Sequence, residues 1–183
     1  MSSGVERLTN LPHTPRVLHG AWATFVELIR LPFQHEELVW GIVPLYFSWA
    51  VNELTSAKVS YNTAIQTGFA LLWSGAHWAW QSFRDNPAKV IHLDSGGALA
   101  VNAGVTLVVL LLGALALWSG LRRRYPRGMS FLGHTRFSAY FMIAIFPIQA
   151  GYLSWKWDYV QVIALFAVPI WLILHFALMP VRR

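Results

Sequence analysis

The chain contains no cysteine, so it can form no disulfide, thiolate metal site or iron–sulfur cluster, and cysteine usage leaves its compartment open. Charge is also scarce. Only 12% of the 183 residues are Asp, Glu, Lys or Arg, against about 25% in an average soluble domain. The first 20 residues lack the charged start, apolar core and small-residue cleavage site of a signal peptide, and they read as a mobile polar N-terminal tail. What is present in excess is apolar: 56% hydrophobic residues, ten tryptophans and a mean hydropathy of +0.46. This balance points to several membrane spans joined by polar loops, forming a single membrane domain over 21–183. The net charge of +6 does not mark a nucleic-acid binder, because the basic residues cluster beside apolar runs. There they match anionic lipid and membrane topology.

The expected fold is all-α, an integral membrane protein of about five transmembrane helices preceded by a short amphipathic interfacial helix. That first helix covers 21–31, where Trp22, Phe25, Val26 and Ile29 share a face and Pro32 stops or bends the chain. Spans follow at about 37–54, 61–82, 98–120, 137–155 and 159–179. Orientation rests on the arginines after the third span. Arg122, Arg123, Arg124, Arg127 and Arg136 place that loop, and with it the C-terminus, in the cytoplasm. The same arginines suit anionic lipid headgroups or an acidic partner.

The stretch "LPFQHEELVWGIVPLYFSW" sets His35, Glu36 and Glu37 against an apolar run. Consecutive helical residues point about 100° apart and cannot converge on one ion. The three are therefore read as a capped, solvated helix start, with the carboxylates at the positive end of the helix dipole.

The second span carries the clearest signal. Asn62, Thr63, Gln66, Thr67, Ser74, His77 and Gln81 share one arc, and small residues such as Gly68 and Gly75 line the opposite side. Lipid prefers neither face, so this helix is expected at the centre of the bundle. By depth, His77, Gln81, Ser74, Asn102, Gln149, Tyr152 and Gln161 fall near one membrane face and form the candidate ligand pocket. Asn52, Asn62 and Gln66 form a second polar cluster towards the other face. The third span is nearly all apolar and is expected to face lipid or another subunit. Its Gly113, Ala116 and Gly120 offer a close-contact face.

No catalytic residue, metal site or cofactor is assigned. His175 reads as a core histidine beside Trp171, and His134 stands among arginines. Glu36–Glu37, Trp73-x-x-x-His77 and His175 together resemble the pattern of CAAX-processing intramembrane proteases. That resemblance implies an intramembrane enzyme. The arginine expected four residues after the glutamate pair is replaced by Gly41. Five close-packed spans, a polar tail and "RFSAYFMIAIFP" resemble the Yip1 type of trafficking protein. The functional expectation is a non-catalytic accessory subunit or a scaffold that binds lipid or protein. Its partners are membrane lipids and other membrane subunits, not nucleic acid. The alternative is a small channel or transporter whose polar pocket is lined by the second span.

Overall fold

The structure, a computed structural model, describes residues 14–54, 60–84, 89, 96–123, 136–178 and 180. The side chains of 14–19, 53–54, 136–139, 171, 174–175 and 178 stand outside that description. Every described element is an α-helix, and no strand occurs among the described residues. In chain order they are α1 (Thr14–Gln34), α2 (Glu36–Leu54), α3 (Tyr61–Phe83), α4 (Gly96–Arg122), α5 (Arg136–Gln149) and α6 (Trp157–Leu178). By length and composition, α4 alone among the described residues is long and apolar enough to cross a membrane.

Local chemistry sets the helix ends. Ser60 caps α3 reciprocally with Thr63: its hydroxyl accepts from Thr63 N at 3.2 Å, and Thr63 Oγ1 accepts from Ser60 N at 2.9 Å. Glu36 and Glu37 occupy the first turn of α2, at the positive end of the helix dipole.

Two boundaries correct the sequence expectation. The first helix runs from Thr14 to Gln34 rather than over 21–31. Pro15 stands in its first turn, where a missing N–H costs nothing, and Pro32 is carried within its last turn. This helix is also a packed member of the bundle. It buries Phe25 and Leu28, and the Phe25 ring lies 5.0 Å from that of Phe166 and 6.3 Å from that of Tyr140. The fourth expected span, 137–155, is interrupted because α5 ends at Gln149. There Gly151 adopts a φ of 87°, a left-handed value natural to glycine. The Pro147 carbonyl then accepts from both Tyr152 N at 3.0 Å and Leu153 N at 3.3 Å.

The most extensive contact joins α3 to α4. A Cβ added to Gly68 would come 2.6 Å from Leu117 N, and one added to Gly113 would come 2.9 Å from Leu72 N. At Gly120 it would come 2.8 Å from Tyr61 O. The small face formed by Gly113, Ala116 and Gly120 is thus spent against α3, not on lipid or another subunit. Centrality is corrected too. The most enclosed element is α5, buried without a break from Met142 into the following turn at Ala150, and contacted by α1, α2, α4 and α6. Its bulky Ile143, Ile145, Phe146 and Ile148 fill the middle of the bundle, whereas the small residues of α3 bring it close to α4.

Candidate functional site: a polar layer at one end of the bundle

The N-terminus of α2, the last turns of α3, the first turns of α4 and the α5–α6 connection meet in one layer. Its first half is built on α2. The Tyr152 hydroxyl donates to Glu37 Oε1 at 2.5 Å, and the His35 ring lies 4.5 Å from the Tyr152 ring, centroid to centroid. His77 sits against the Glu37 backbone carbonyl, 5.8 Å from the Phe146 ring. Gly41 makes room for it: a Cβ there would overlap the imidazole and come 2.6 Å from Phe146 Cζ. Gln81 places its Nε2 3.5 Å from His77 Nε2. One turn deeper, the Ser74 hydroxyl donates to the Gly41 carbonyl at 3.2 Å, and Trp73 Nε1 donates to the Trp40 carbonyl at 2.7 Å.

The second half is built on α4. Trp155 Nε1 donates to Asn102 Oδ1 at 2.8 Å, while Asn102 Nδ2 reaches the carbonyls of Ile148 and Gln149 at 3.4 and 3.5 Å. As placed, Gln149 Oε1 accepts from Thr106 at 3.4 Å. The better assignment turns that amide over, so that its nitrogen donates to Asn102 O at 3.2 Å and its oxygen accepts from Trp155 Nε1 at 3.0 Å. The turn after Gln149 links the halves by sending Gln149 towards α4 and Tyr152 towards α2.

Of the seven residues expected in one pocket, six join this layer as three sets: Ser74 with Gly41, His77 with Gln81, and Asn102 with Gln149, to which Tyr152 adds its bond to Glu37. Gln161 does not join; it is exposed on α6. The second cluster is not assembled as expected. Asn62 is exposed, and Asn52 Oδ1 and Gln66 Nε2 are buried without hydrogen-bond partners. Arg122 stacks on Trp118, 4.3 Å from the ring centroid, and Arg123 is exposed with φ 51°. Arg124, Arg127 and His134 lie outside the described residues, as do the side chains of Arg136, Trp171 and His175.

The reading of Glu37 as a solvated cap is corrected. It is half-buried and engaged by a tyrosine 115 residues away. Thr106, Trp78 and Trp155 were also missed. Thr106 was within reach, since Asn102 and Thr106 stand one helical turn apart on the buried face of α4.

Chemically, the layer offers a carboxylate–phenol pair and an oriented imidazole. Among the described residues, no three His, Cys, Asp or Glu side chains are placed to hold a metal ion. No protein family, curated protein or solved structure matches this chain.

Proposed function

We propose that this chain is a multi-span integral membrane protein with a non-catalytic role, an accessory subunit or scaffold that binds lipid or protein within the bilayer. The observation that carries this reading is the inverted pattern on α4. Asn102, Thr106, Ser119 and Gly120 are buried, whereas Val101, Leu107, Leu111, Leu115 and Leu121 are exposed. Water favours the opposite arrangement, and a monomer in water rarely displays so continuous an apolar face. Hydrocarbon favours this one, because polar and small residues then satisfy each other between helices. The same pattern holds on α3, with Thr67, Ser74 and Gln81 inside and Phe69, Trp80 and Phe83 outside. Exposed Trp40, Trp80 and Trp157 ring the end that holds the polar layer, as an aromatic belt does at a membrane interface.

In this reading α2 to α6 make five crossings, and the amphipathic α1 packs beside them. The arginines that follow α4 keep that end and the C-terminus in the cytoplasm. For lipid, a groove of about 480 Å³ runs between α4 and α5 over Leu71, walled by Val105, Val108, Phe141 and Ile145. Its lining residues are all apolar in type, which suits an acyl chain. A channel or transporter would need water along the polar face of α3. Against that, Ser74, Asn102 and Gln149 bond to neighbouring helices.

The test uses the absence of native cysteine. In sealed vesicles the protein should resist alkaline extraction. Ser74→Cys, His77→Cys and Gln81→Cys should stay unlabelled by a membrane-impermeant thiol reagent applied from either side. Labelling of these three, but not of Ala64→Cys or Ala70→Cys, which are buried on the same helix, would shift the assignment to a channel or transporter. Release by alkali would remove the membrane reading altogether.

A further inference from the structure

We propose that the polar layer holds one bound hydroxyl group, recognised by the side-chain oxygen of Gln81 and the indole N–H of Trp78. Gln81 is only 1% exposed, and its Nε2 faces His77 Nε2 at 3.5 Å. Its Oε1 nevertheless has no hydrogen-bond partner. Trp78 is fully buried with its ring 5.6 Å from that of Phe146, and its Nε1 has no partner either. The two residues lie three apart on α3, about one turn along and on neighbouring stripes of the same side. A buried donor and a buried acceptor left unmade each cost the desolvation of a polar group with nothing in return.

The surrounding groups are already engaged. Glu37 bonds Tyr152, Asn102 bonds Trp155, and Ser74 bonds Gly41. A single group serving both atoms donates to the amide oxygen and accepts from the indole N–H. An ammonium can only donate and a carboxylate can only accept, whereas a hydroxyl does both. The hydroxyl has two sources: a buried water, or the glycerol hydroxyl of a lipid whose chain occupies the α4–α5 groove. That groove lies over Leu71, two turns from Trp78 on the same stripe of α3, and includes Ile145 beside Phe146. The water arm does not depend on the membrane reading, since both atoms are buried whatever surrounds the bundle.

The experiment is proton–nitrogen NMR of the indole N–H groups in deuterated detergent, with the Trp78 signal identified by its loss in Trp78→Phe. A hydrogen-bonded indole shift with magnetisation transfer from water supports the proposal with water as the ligand. Transfer from the glycerol protons of added monoolein supports it with a lipid hydroxyl. An indole shift typical of an unbonded N–H, with transfer from neither, overturns it. Gln81→Met, close to Gln in shape, supplies a second readout. Transfer to the Trp78 indole from water or monoolein should be lost in this variant, because the shared hydroxyl loses its acceptor. Transfer that is unchanged from the parent would overturn the proposal. Neither result depends on whether the protein is a scaffold or a channel.

Discussion

Gly41 carries no side chain, and that fixes where His77 can sit. Any β-carbon there would enter the imidazole and crowd Phe146. Gly41→Val should therefore destabilise the fold by about 1–3 kcal/mol through overpacking, read as a lower unfolding temperature in detergent. Tyr152→Phe removes the donor to Glu37 and should cost about 1–3 kcal/mol, the range for leaving a buried acceptor unsatisfied. Glu37→Gln keeps an acceptor and should cost less. If Tyr152→Phe proves silent, the carboxylate–phenol pair is not part of the native layer. At this scale the sequence was half legible. Ser74, His77, Gln81, Asn102 and Gln149 could be grouped because a polar side chain inside an apolar run has few uses. Glu37 could not, because three adjacent polar residues at a helix start look the same whether water or a distant tyrosine satisfies them. Gln161 shows the converse: position along a helix gave its depth and not the direction in which it faces. Asn62 was placed on the arc of Thr63 and Ser74, but it stands at the end of that arc and is exposed.

At the scale of the element, α3 and α4 owe their closeness to glycines. Gly68→Leu or Gly113→Leu would push backbone against backbone and should separate the pair, with a loss at least as large as that of Gly41→Val. Gly104→Leu is the control. A Cβ there meets nothing within 4 Å, so its unfolding temperature should stay near that of the parent while its side chain fills the groove. Equal losses at 68, 113 and 104 would refute the close-contact role. The first helix makes a separate case. Phe25→Ala should cost about 3–5 kcal/mol as a buried aromatic deletion if α1 belongs to the core, and almost nothing if it only rests on the bundle. The cores of all six helices could be read from apolar runs, but two ends could not. Pro15 falls in the stretch read as a tail, yet the first turn of a helix accepts proline. The run from Ile148 to Leu153 looked continuous although Gly151 turns it.

Over the whole molecule, contacts divide by how far along the chain they reach. The glycine-zipped pair of α3 and α4 closes within one stretch from Tyr61 to Arg122. The polar layer is not complete until Tyr152 finds Glu37, 115 residues earlier. Local contacts form early and distant ones wait. A fragment spanning 60–123 should therefore keep its helix pair when made alone, observable as nuclear Overhauser contacts between Leu72 and the Gly113 α-protons. Loss of those contacts would mean that the hairpin leans on the rest of the bundle. Where it holds, the layer around His77 and Gln81 stays open during synthesis until the last third of the chain arrives. Until then the buried faces of α2 and α3 that will form the layer meet whatever surrounds the growing chain, and the α5–α6 turn acts as its closing piece.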